Sequence, residues 1–201
     1  MAEVLDFEYP LHAVVYCLFL FMFFLFARKA QFVPESLAGD NLKVLVARSH
    51  VCVSQDKVLV TFYKTKTRQT GGKPLVIPLP KIPGSVLCPV AAFDRMCRLV
   101  PAQGSSPLFI LPPSYGSVPI VYSTFQKVLR ACVSSIGLSP HSFSSHSFRR
   151  GGASFAFGLG VPGEMIQSQG DWASECYKLY VDVSLDHRCR VADRMAEYLA
   201  H

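Results

Sequence analysis

The sequence predicts a single α+β domain, mainly helical, with a small three-stranded antiparallel sheet. Three observations carry that prediction. Half of the 201 residues are apolar and only 17% are charged, a balance that builds a core rather than a disordered chain. β-Branched and aromatic residues cluster between positions 43 and 78 around turn signals, which is the pattern of adjacent strands. Elsewhere, prolines and glycines bracket apolar runs of helical length.

The elements follow in order. Residues 10–30 read as a helix entered through Pro10 and ended before Pro34, because proline disfavours helix in the residue before it. Lys43 to Val53 and Lys57 to Tyr63 flank Ser54-Gln55-Asp56 as a hairpin, and Lys73 to Pro78 adds a third strand after the turn Thr70-Gly71-Gly72. A proline-rich connector, 79–84, leads to a helix over Val90 to Leu99 with Pro89 near its first turn. Pro101 to Pro119 is too interrupted by proline, glycine and serine for regular structure, and reads as a surface loop with a short strand at Leu108 to Leu111. Ser123 is the expected N-cap of a helix running to Ile136 and closed by Gly137. Further helices are expected at Ser145 to Gly158, Pro162 to Gln169, Ser174 to Val181 and Leu185 to Leu199.

Charge is unevenly spread. Between Lys43 and Lys73 stand seven basic residues (Lys43, Arg48, Lys57, Lys64, Lys66, Arg68, Lys73) and one acid, Asp56, so this segment carries the entire net charge of +6. A concentrated basic surface favours a polyanionic partner, although a solvated hairpin rim has the same composition. The seven cysteines show no C-x-x-C pair and no zinc spacing, and read as reduced, mostly buried thiols of an intracellular protein. No acidic cluster has metal-ligand spacing, so no metal is expected, and nothing in the sequence implies another cofactor. Ala13 to Ala27 is apolar for fifteen consecutive residues, short of the roughly 20 a membrane-spanning helix needs. Its upstream flank is acidic, unlike a secretory signal, so a buried core helix is expected rather than a membrane anchor.

The most informative segment is His146-Ser147-Phe148-Arg149-Arg150-Gly151-Gly152-Ala153, followed by Gly170-Asp171-Trp172 and by Tyr180, 31 positions after Arg149. His146 and Arg149, three apart, share one helical face and can reach a single phosphate. This pattern resembles the C-terminal signature of tyrosine recombinases, the phage-integrase family of DNA strand-breaking and rejoining enzymes, and within it the recombinases of eukaryotic mobile elements, the DIRS-type retrotransposons and Cryptons. Phe26-Ala27-Arg28-Lys29-Ala30-Gln31 sets against the family's first arginine motif, so the likeness covers essentially residues 10–200. It implies the integrase catalytic-domain fold over residues 10–201, with residues 1–9 as an extension and the family's N-terminal core-binding domain absent.

The resemblance also implies roles. Arg28 and Arg149 would clamp the non-bridging oxygens of the scissile phosphate. His146 and Trp172 would complete the pocket, Lys66 would protonate the leaving 5′ oxygen, and Tyr180 would attack phosphorus. The residue types suit that chemistry. Guanidinium forks bind two oxygens at once, stay protonated, and stabilise the charge that builds up during attack. A phenol, with a free pKa of about 10, needs a base to lose its proton at neutral pH, and His146 or a group near it is the candidate. Trp172 stands where many members have histidine and can only pack and donate one N–H. A phosphotyrosyl bond would store the energy of the broken link, so rejoining needs no nucleotide.

Each assignment has a rival. Lys64 shares a strand face with Lys66, Tyr177 precedes Tyr180 by three residues, Arg28 could mark a helix end, and Trp172 could be core alone. Lys43, Arg48, Lys64, Arg68, Lys73 and Arg150 are the expected contacts to the backbone of double-stranded DNA. The family works as tetramers on DNA, which makes Leu185 to Leu199 the expected contact to a neighbouring copy, and the implied location is nuclear. Two departures stand out. Where the family usually has a small residue and then an acidic or polar one after its first arginine, this chain has Ala30 and the uncharged Gln31, which predicts weaker charge support for Arg28. The absent clamp domain predicts weak DNA binding and lost cover for the 13–27 helix, and leaves open a catalytically silent, domesticated or truncated DNA-binding module.

Overall fold

The computed structural model describes residues 5–38, 42, 44–65, 73–179, 181 and 185–199. Six α-helices, a three-stranded sheet and short 3-10 turns make up these residues: α1 Pro10–Phe24, β1 Val51–Val53, β2 Lys57–Phe62, β3 Leu75–Pro80, α2 Pro89–Leu99, α3 Tyr122–Ser135, α4 Ser145–Gly158, α5 Gly163–Gln169 and α6 Leu185–Leu199. Strand order is β1-β2-β3, antiparallel throughout, with Val60 of β2 opposite both Val51 and Ile77. Alternation decides the sheet's two faces: Val58, Val60, Phe62, Ile77 and Leu79 are buried while their neighbours are wholly or partly exposed.

Helix α1 is the hub. An apolar helix with no polar stripe must be covered on all sides, and Ala13 through Met22 are all buried. Its rings reach three helices and a loop. Phe19 stacks on Phe148 of α4 at 4.9 Å and meets Phe125 of α3 edge-on at 5.7 Å; Phe21 meets Phe93 of α2 at 5.8 Å and Phe109 at 5.5 Å. The expected loss of cover over this segment is therefore corrected: helices and loop of this same chain enclose it. No helix among the described residues is long and apolar enough to cross a membrane.

Several expected boundaries are also corrected, each for a physical reason. The first helix stops at Phe24 rather than continuing to residue 30. The Phe26 and Ala27 N–H groups turn back to the Phe23 and Met22 carbonyls, a Schellman closure that puts Phe26 in the left-handed region with φ 47°. A phenylalanine there is strained, and its ring is held in a second apolar cluster with Ala153, Ile166, Trp172 and Tyr177. The first strand is only Val51–Val53, because residues 45–48 pair instead with other loops: the Val46 N–H donates to the Gln31 carbonyl, the Leu108 N–H to the Val46 carbonyl and the Arg48 N–H to the Ser106 carbonyl. Segment 101–119 is thus no simple surface loop. Leu108, Phe109 and Ile110 are buried, and the expected strand is reduced to isolated bridges Ala47–Pro107 and Ile110–Pro119.

Smaller shifts follow the same logic. Two prolines sit within β3, Pro78 and Pro80, whose side chains face outward. Val121, not Ser123, precedes the first turn of α3, and among the described residues of the helix expected over Ser174 to Val181 only a 3-10 turn, Glu175–Leu179, forms. Of the seven free cysteines, Cys17, Cys88 and Cys132 are buried but Cys52, Cys176 and Cys189 are exposed. Burial holds the Cys17 thiol well above its usual range, as suits a packing residue.

Candidate active site

The sharp turn after α1 carries the chain into the site. Arg28 follows it in an extended conformation, and its backbone N–H donates to Gln31 Oε1 at 2.9 Å, which fixes the short 3-10 turn Lys29–Gln31. Opposite stands α4, begun by Ser144, whose hydroxyl accepts from the His146 N–H at 3.3 Å. With the helix started there, His146 and Arg149 fall one turn apart. A concavity of about 670 Å³ opens between these elements, lined by Arg28, Lys29, His146, Arg149, Trp172 and Cys176 among others. Four of the expected catalytic residues therefore meet around one space. Lys66 and Tyr180 lie outside the described residues.

Arg149 is 3% exposed and is held on three sides. Its guanidinium donates to the Phe26 and Gly170 carbonyls, the latter at 2.8 Å, and the Trp172 ring lies 3.7 Å from its central carbon. The first contact adds an electrostatic effect, since the C-terminal end of a helix concentrates negative potential that suits a cation. Gln169 Nε2 caps the same end, donating to the Phe24 carbonyl at 3.0 Å. The guanidinium plane is thus set by backbone acceptors while the residue still lines the concavity. Pre-organisation of this kind is what makes a fixed cation effective toward a developing charge.

The Gly170-Asp171-Trp172 turn explains itself in these terms. A Cβ on Gly170 would lie 1.8 Å from Trp172 Cζ3, so only glycine lets the indole fold back over its own turn and onto Arg149. Gly170→Ala is expected to tilt the ring off the guanidinium. Because Trp172 is the sole tryptophan, the displacement is measurable as a changed intrinsic emission; an unchanged spectrum would show that the turn tolerates the methyl group.

Arg28 donates to the Asp171 carbonyl at 3.1 Å, and the Asp171 carboxylate lies 3.6 Å from its other terminal nitrogen. Charge support for Arg28 thus comes from a residue 143 positions away, since Ala30 and Gln31 beside it carry no charge. Lys29 is a further cation at the rim that sequence reasoning passed over. Its ammonium lies 2.5 Å from Glu35 Oε1 and 3.5 Å from the Tyr122 ring centroid. Its place directly after Arg28 was the available signal.

The expected DNA contacts divide. Lys64 and Lys73 are exposed beside the sheet and Arg150 is exposed on α4, while Lys43 and Arg68 lie outside the described residues. Arg48 is a correction. It is 9% exposed and donates to Cys97 Sγ at 2.8 Å and the Val100 carbonyl at 3.1 Å, so it ties the 44–50 segment to the end of α2 instead of facing a partner. Tyr177, the rival nucleophile, is also buried. A Cβ on Gly163 would fall 2.2 Å from its hydroxyl oxygen, which shows how closely the phenol is enclosed.

No protein-family model matches the sequence, and no curated protein matches it. Solved structures do. The chain superposes on the XerH site-specific recombinase bound to its difH substrate in a pre-cleavage complex with a TM-score of 0.64 at 12% identity, over 94% of this chain and 48% of that one. It is similar to the FLP recombinase in a Holliday junction complex, with a TM-score of 0.51 at 18% identity over 84% and 42% of the two chains. The Tn1549 transposon integrase in complex with transposon right-end DNA gives 0.50 at 14% identity over 90% and 58%. The fold is that of the tyrosine recombinase catalytic domain. At these identities the likeness is one of fold, and the chain spans about half the length of the structures it matches.

Proposed function

We propose that the chain is a tyrosine recombinase catalytic domain that binds duplex DNA at the concavity and cleaves one strand through a 3′-phosphotyrosyl link to Tyr180. The observation that carries this reading is the convergence of Arg28, His146, Arg149 and Trp172, drawn from the two ends of the sequence, around one open space in the fold that the recombinases share. Two guanidiniums there suit a phosphodiester, whose two non-bridging oxygens gain charge during attack.

In this mechanism Arg149, immobilised by two carbonyls and an indole, holds one oxygen, and Arg28 the other. His146 is the exposed group on the same helical face, placed to accept or return a proton. Lys66 is assigned the protonation of the leaving 5′ oxygen. Attack by the phenol forms a phosphorus–oxygen bond as the bond to the 5′ oxygen breaks, and the reverse step rejoins the strand without external energy. Lys64, Lys73 and Arg150 add backbone contacts whose contribution falls with salt. Exposed Leu185, Met195 and Leu199 on α6 offer a docking surface for a neighbouring copy on DNA.

A duplex nicked near the cleavage point tests the reading. The wild-type chain is expected to form a covalent adduct that survives denaturation, Tyr180→Phe to form none, and Tyr177→Phe to retain it because that hydroxyl is buried. Binding without adduct in the wild type would replace the enzyme by a silent DNA-binding module.

A further inference from the structure

We infer that Asp171 is the positioning residue for Arg28, so that the single turn 170–172 orients both arginines of the site. The inference rests on reading the concavity as a phosphodiester site, and it begins from a shortage. No acid lies beside Arg28 in sequence, and the Gln31 side chain is spent on Arg28's backbone N–H at 2.9 Å, not on its guanidinium. Among the described residues the acceptor for that guanidinium is Asp171, through its carbonyl at 3.1 Å, with its carboxylate alongside at 3.6 Å.

Three further observations give the carboxylate a purpose. The Asp171 side chain is 9% exposed against 26% for Arg28. Arg28 lines the concavity and Asp171 does not, so an anion entering there meets the guanidinium. A carboxylate so placed orients the fork and offsets the mutual repulsion of Arg28, Lys29 and Arg149 without meeting an incoming anion first. Finally, Asp171 has φ 51°, a conformation in which glycine is less strained than any side chain. What aspartate adds at this position is therefore its carboxylate. The flanking residues do the corresponding service for Arg149, Gly170 by its carbonyl and Trp172 by its ring.

The test uses the full chain, with sodium tungstate as a phosphate-like anion and the emission of Trp172 as the reporter beside Arg149. Asp171→Gly and Asp171→Asn keep the backbone carbonyl and tolerate the left-handed conformation. Both are expected to bind tungstate about fivefold more weakly than wild type, the scale of one partly exposed ion pair. The melting temperature of Asp171→Gly is expected to be unchanged or raised, which separates lost positioning from lost folding. Affinity in Asp171→Gly equal to or tighter than wild type overturns the inference, as does a wild type with no saturable response. If tungstate binds as expected but the nicked duplex gives no adduct, catalysis fails while the positioning role stands.

Discussion

Arg149→Lys is expected to abolish nearly all adduct formation and to destabilise the fold at the same time. Arg149 donates to the Phe26 and Gly170 carbonyls from two different nitrogens while its central carbon lies over the Trp172 ring. An ammonium has three donors radiating from one point and no plane to stack, so it cannot reproduce that arrangement. One of the two carbonyls would be left buried without a donor, and the guanidinium–ring contact would be lost. Together these should lower stability by about 2–3 kcal/mol. On the proposed reading the chemical effect is larger, because the remaining charge would no longer be held where a phosphate's oxygens would gain charge. A fall of about 10²–10³ in the adduct-forming rate is the expected scale. Thermal denaturation and the nicked-duplex assay read the two effects separately. A lysine variant with a wild-type rate would mean that Arg149 is a structural brace with no part in the chemistry.

Gly152→Ala should be strongly destabilising, and its neighbour Gly151→Ala nearly harmless. A Cβ at position 152 would lie 2.3 Å from the Phe23 carbonyl oxygen and 2.6 Å from Phe26 Cδ1, whereas at position 151 the nearest atom, on the Phe23 ring, is 3.8 Å away. The first contact is with backbone at the end of α1, which cannot swing aside. Relief requires α1 and α4 to separate, and the Phe26 carbonyl that accepts from Arg149 would go with the end of α1. A cost of about 2–4 kcal/mol is expected from overpacking of this kind. Gly151→Ala instead relieves a helix-interior glycine and should be neutral or stabilising by up to about 1 kcal/mol. Melting temperatures of the two variants, which differ by one position and the same methyl group, decide it. Equal values would show that the close approach of α1 to α4 is not what Gly152 provides.

These adjacent glycines show how much of the site could be read from the chain and where reading stops. His146 and Arg149 were legible because helical periodicity is local: three residues apart means one face, and the helix over Ser145–Gly158 lies where its flanking signals put it. The need for cover around residues 13–27 was legible for the same reason, since an apolar run without a polar stripe has no face to give to water. The catalytic-domain fold followed from the C-terminal signature. What was not legible depended on contacts between distant segments. Arg48 looks like its basic neighbours until Cys97 and Val100 fold over it. The 101–119 segment looks like solvent-facing loop until Phe109 meets Phe21 and Phe32. Proline and serine content describes its backbone irregularity, not which of its apolar side chains find the core.

The sequence by itself determined the inventory of candidate chemistry: two arginines, a lysine, a histidine, a tryptophan and a tyrosine, with His146 and Arg149 on a helix whose extent local signals define. Only the tertiary structure decided how the arginines are held. The end of α1, the start of α4 and the turn 170–172 are far apart along the chain, and the carbonyls of Phe26 and Gly170 and the carboxylate of Asp171 become partners only where those three segments meet. Periodicity and propensity act over a few residues, while the potential at a guanidinium is the sum over whatever the packed core brings within a few ångströms of it.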